Sequence, residues 1–137
     1  MFPDHVKRIV AIGAGENLVQ LRKVPLNKVE EIKKLDPAFM KAQMALMPEP
    51  DRLQEYWDRV HDFYNNRLIA DKELFMSLKC PVLLISGELD PHAPLMTVIS
   101  AYQMIRDCEL AIIAGAPHQA MITNFPAVWA NMQPFIQ

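Results

Sequence analysis

Three apolar runs limit what this chain can fold into: "KRIVAIGA" at 7–14, "CPVLLISG" at 80–87 and "CELAIIAG" at 108–115. Each runs into a glycine, and none alternates apolar with polar residues as a strand with one wet face does. Continuous runs of this kind read as strands buried on both faces, which is the habit of parallel sheets covered by helices. The fold class is therefore expected to be α/β, with three parallel strands.

The intervening segments supply the helices. After the second run, Pro94 suits a first helical turn, and Leu95, Val98, Ile99, Tyr102 and Ile105 recur at helical spacing. After the third, Thr123 or Asn124 can cap a helix that has Pro126 near its start and Val128, Trp129, Met132 and Phe135 on its apolar face. Residues 16–79 show no strand pattern. There Asn27 with Glu30 resembles a capping box, Asp36-Pro37 opens a second helix and "PEP" at 48–50 ends it. Residues 51–68 predict a longer amphipathic helix through Leu53, Trp57, Val60, Tyr64 and Leu68, and Asp71 caps a last one. The chain thus reads as a core, 1–15 with 80–137, interrupted by a helical insertion at 16–79. Met40, Met44, Met47 and Met76 give that insertion flexible thioethers suited to an adaptable apolar surface.

The chain has 137 residues, enough for one buried core, and its 51% hydrophobic and 22% charged content is that of a soluble globular protein. A net charge of -2 offers no basic face for nucleic acid or anionic membrane. No apolar run approaches a membrane span, and "MFPDHVKR" places a proline and an aspartate where a signal peptide has its apolar core. A cytoplasmic protein is expected. Cys80 and Cys108 have neither disulfide-framework nor metal-ligand spacing and read as reduced packing residues.

Two motifs compete for the chemistry. "GAG" at 13–15 follows a strand as a dinucleotide fingerprint does, but Leu18 stands where a third small residue is needed, and no second strand with a terminal acid follows. The stronger pair is Asp90, three residues beyond Gly87, and His118, three residues beyond Gly115. In adjacent parallel strands both would emerge at one carboxyl edge, where open α/β sheets place their sites. A carboxylate that accepts the Nδ1 proton of an imidazole leaves Nε2 as a general base. Glu88 reads as a solvent-facing turn residue. His92 with Glu88, Asp90 and His118 lacks the tight spacing of a metal site. His61 reads as helix packing and His5 as surface.

At these residues the sequence resembles a known family. "LKCPVLLISGELDPHAP", an amphipathic helix, and "CELAIIAGAPHQAMITNFPAVWANMQPFI" look like the C-terminal part of an α/β-hydrolase. "FPDHVKRIVAIGAG" similarly resembles that fold's sixth strand, and 16–79 its helical cap. The resemblance implies that Asp90 is the triad acid and His118 the triad base, and it implies no cofactor. The family's nucleophile sits in Gly-x-Ser-x-Gly on an earlier elbow. Here Ser77, Ser86 and Ser100 are the only serines, none in such a motif, and neither cysteine has the required glycines. The oxyanion-hole loop of the N-terminal half is missing as well. The expectation is a portion of a serine hydrolase for a small ester, amide or related substrate, inactive by itself. The alternative is a non-catalytic binding or assembly module derived from one.

In such a fragment the 7–14 strand has no partner on its outer side, and a narrow sheet with one bare face is marginal. A homodimer joined antiparallel through residues 7–14 is therefore expected.

Overall fold

A computed structural model describes residues 5–16, 28–63, 66 and 70–137. Its elements are β1 (Ile9–Ile12), α1 (Val29–Leu35), α2 (Pro37–Leu46), a 3-10 turn (Pro50–Arg52), α3 (Leu53–Asp62), α4 (Lys72–Met76), β2 (Val82–Gly87), α5 (Leu95–Met104), β3 (Cys108–Ile113), α6 (Ala120–Thr123) and α7 (Phe125–Ile136). Backbone proximity divides the chain into two units, Met1–Lys23 with Ile69–Gln137, and Val24–Leu68.

In the first unit the three strands form one parallel sheet in the order β1-β2-β3. Ile9 lies opposite Val82, which lies opposite Cys108; Ile12, Ile85 and Ala111 are level further along. The central strand β2 is buried from end to end, so its unbroken apolar run has a direct cause: each face of the sheet meets helices. On one face Leu83, Ile85, Ala111 and Ile113 pack with Ala120, Val128 and Phe135 of α6 and α7. On the other, Val82 and Leu84 pack with Val98, Ala101 and Ile105 of α5 and its end, joined by Phe75 and Leu78 from α4 and beyond. The expected bare face is thus absent. The short helix α4, placed by the sequence reading in the insertion, packs on the sheet because Phe75 and Leu78 point at it.

Helix faces differ from the spacing of large residues in instructive ways. The buried stripe of α5 is Thr97, Val98 and Ala101, with Tyr102 exposed, because small residues let the helix lie close to the sheet. In α7, Val128 and Phe135 are buried, whereas Trp129 lies outward and stacks on Phe125 at 6.0 Å.

The second unit is a small helical cluster. Val29, Ile32, Met40 and Leu53 form its centre, with Met44, Met47 and Trp57 against them. Asp36 ends α1 and caps α2, its carboxylate accepting the Phe39 N–H at 2.9 Å. At the start of α1 the Val29 N–H is met by Gln54 Oε1 at 3.0 Å. The capping box at Asn27, and Tyr64 and Leu68 of the longer predicted helix, lie outside the described residues. None of the helices among the described residues is long and apolar enough to cross a membrane.

Ile85 is wholly buried at the centre of the sheet. Ile85→Ala is expected to lower unfolding free energy by about 2–5 kcal/mol, through lost burial and the cavity left behind. Urea denaturation followed by circular dichroism would measure it, as a lower midpoint with unchanged slope.

Candidate functional site

The site grows from the ends of the strands. Past β2 the chain turns tightly, with the Asp90 N–H donating to Gly87 O at 3.2 Å. Glu88 N–H donates to Ile113 O at 3.0 Å and Leu89 N–H to Ala116 O at 2.9 Å, so the loops after β2 and β3 are stitched together. A Cβ on Gly87 would lie 2.3 Å from Pro117 O and 2.4 Å from Ala116 O. Only glycine permits this approach of backbone to backbone.

This stitching brings Asp90 and His118 together. Asp90 has a fully buried side chain, and its Oδ2 lies 2.8 Å from His118 Nδ1. Its Oδ1 accepts the N–H groups of His92 and Ala93 at 2.8 and 2.9 Å. With Oδ1 committed as an acceptor, the bonding pattern assigns the shared proton to Nδ1. Nε2 then carries the lone pair, on a ring that is 42% exposed. A held imidazole with an accessible basic nitrogen is the equipment of a general base. The His92 ring lies alongside, 4.6 Å from that of His118.

The end of β1 completes the surroundings. Gly13 has φ +65, and a Cβ there would lie 3.1 Å from both Cε1 and Nδ1 of His118 and 3.4 Å from Asp90 Oδ2. Gly15 leaves room for the first turn of α5, since its Cβ would meet Thr97 at 2.7 Å, and Glu16 N–H donates to Thr97 O at 2.9 Å. Packing therefore accounts for both glycines of the "GAG" motif. Sequence reasoning missed Gly13 as part of this site; its signal was a glycine at the end of the strand beside β2.

Glu88 also has a place that its turn position concealed. Its Oε2 accepts the N–H of Gly115 at 2.8 Å across the two loops. The three serine hydroxyls are engaged elsewhere: Ser77 with Leu74 O, Ser86 with Gly87 O, and Ser100 with the Glu16 carboxylate. None of these bonds reaches His118. Cys80 and Cys108 are free and half-buried; burial raises the Cys108 thiol above its ordinary pKa, with Asp107 and Glu109 adding to the effect. No group of three His, Cys, Asp or Glu residues among the described ones is arranged to hold a metal.

Replacing Asp90 by asparagine keeps shape but presents an amide to Nδ1. Asp90→Asn is expected to shift the His118 proton from Nδ1 to Nε2, read as exchanged nitrogen-15 shifts of the two ring nitrogens at neutral pH. Unchanged shifts would contradict the assigned tautomer.

No protein-family model matches this sequence, and neither does any curated protein. Solved structures do. A serine hydrolase involved in carbazole degradation matches with a TM-score of 0.69 at 21% identity, covering 96% of this chain and 54% of that one. A meta-cleavage product hydrolase from Pseudomonas fluorescens matches with a TM-score of 0.60 at 17% identity, over 98% and 58%. An α/β-hydrolase enzyme from the metagenome of Mar Chica lagoon sediments, Morocco, matches with a TM-score of 0.65 at 18% identity, over 98% and 52%. The chain thus spans little more than half the length of each. At these identities the likeness is one of fold, and the fold of this chain is that of part of an α/β-hydrolase.

Proposed function

We propose that this chain is the C-terminal, acid-and-base portion of an α/β-hydrolase that acts on a small ester, amide or related acyl substrate. The observation that carries this reading is the 2.8 Å contact of Asp90 with His118 at neighbouring strand ends. The solved neighbours lend support, since they include a serine hydrolase, a meta-cleavage product hydrolase and an esterase.

In this reading a serine outside these 137 residues is the nucleophile. His118 Nε2 takes the hydroxyl proton as the serine oxygen bonds to the acyl carbon. Asp90 steadies the resulting imidazolium and holds its orientation. His118 then returns the proton to the leaving group as the acyl–leaving-group bond breaks. A water molecule, deprotonated by the same nitrogen, releases the acid and restores the serine. The helical insertion is proposed as the cap of that enzyme.

The 137-residue chain itself is expected to hydrolyse p-nitrophenyl esters no faster than buffer. Turnover that disappears in His118→Ala would show a nucleophile within the chain and overturn that expectation. An in-frame Gly-x-Ser-x-Gly encoded upstream would favour the hydrolase over a non-catalytic assembly module. In a polypeptide that includes it, Asp90→Asn is expected to lower kcat by roughly four orders of magnitude, and His118→Ala by at least as much.

A second observation concerns association. The N–H groups of Ile9 and Gly13 donate towards β2, so the alternate residues Val10 and Ile12 present theirs on the other edge. We propose that where this chain stands alone a second copy pairs antiparallel along that edge. Size-exclusion chromatography with light scattering is expected to give twice the chain mass; a well-behaved monomer would refute the dimer.

A further inference from the structure

We infer that Glu88 is a positioning residue for His118, acting through the Gly115 amide rather than on substrate. The inference rests on the reading of His118 as the base. The turn that carries His118 leaves β3 after Ile113, the last residue in register with β2, opposite Gly87. Gly115 then takes φ +66 with nothing within 4 Å of where a Cβ would stand, so glycine is needed there for its backbone angle and not for space. Its N–H donates to Glu88 Oε2, with the nitrogen 2.8 Å from that oxygen.

The turn meets the loop after β2 through backbone and through side chain. Ala116 O receives the Leu89 N–H, and Pro117 O lies over Gly87. Both of these are backbone features. The side-chain tie is the Glu88 carboxylate on Gly115, which spans the two loops as the Asp90–His118 contact does. Asp90 cannot take over its role, since Oδ1 already serves His92 and Ala93 and Oδ2 serves His118. Without Glu88 the Gly115 amide loses its protein acceptor in an exposed turn, and the segment from 115 to 118 loses the fastening nearest its start. The imidazole would then hold its 2.8 Å contact with Asp90 for a smaller fraction of the time.

The test uses the nitrogen-15-labelled chain, with Glu88→Ala as the removal and Glu88→Gln as the conservative variant whose side-chain carbonyl can still accept. Two signals are read: amide hydrogen exchange at Gly115, and the His118 Nδ1–H proton with its nitrogen shift. Glu88→Ala is expected to speed Gly115 exchange by about tenfold, the scale on which one charge-assisted hydrogen bond protects an amide, and to broaden the Nδ1–H signal. Glu88→Gln is expected to restore most of both, while exchange at Leu89 stays as in the unmodified protein. Should Glu88→Ala fail to fold, Glu88→Met against Glu88→Gln makes the same comparison at nearly constant side-chain size. Removal variants in which both signals match the unmodified chain would overturn the inference and leave the reading of His118 intact. An unmodified chain with no protected Nδ1–H would overturn the reading, and the inference with it.

Discussion

A carboxylate withdrawn from water needs donors for both oxygens, and the Asp90 side chain, with no exposed surface, has them. Two backbone amides of its own loop meet Oδ1, and His118 meets Oδ2. The first two bonds are local and would form wherever the sequence turns at Asp90-Pro91. The third spans two strands and exists only because β2 and β3 are parallel neighbours that end level with one another. Much of the unit serves this third bond: the register, the backbone stitching from Glu88 and Leu89, and the bare Cα of Gly87 beneath the Pro117 carbonyl.

Glycine does three different jobs around it. Gly87 is required for close approach, Gly115 for a left-handed turn, and Gly13 for both, since it combines φ +65 with a position against the imidazole. The ends of all three strands therefore contribute to one small site. Its exposed member is the His118 ring, with Nε2 as the free nitrogen, and its buried members hold that ring still. The arrangement separates an exposed imidazole from the buried groups that hold its orientation.

The sheet that carries this site has helices on both faces and two edge strands, β1 and β3, each with a neighbour on one side alone among the described strands. Solved proteins of the same fold are nearly twice as long as this chain. The described structure matches part of that larger architecture.

Residue order alone was enough for the three parallel strands, because an unbroken apolar run has no polar face to expose, and for pairing Asp90 with His118, because each follows a strand-ending glycine by the same interval. It was enough also for the caps at Asp36 and Asp71, which depend on bonds three residues long. It did not disclose that Thr97 and Ala101 line the buried side of α5, that Trp129 faces outward, or that α4 packs on the sheet. Nor did it show Gly13 against His118 or Glu88 on Gly115, contacts between residues far apart in the chain. The difference is one of range. Periodicity and capping are written within a few residues, whereas which small residue admits a neighbour, and which carboxylate reaches another loop's amide, depend on what the tertiary fold brings alongside.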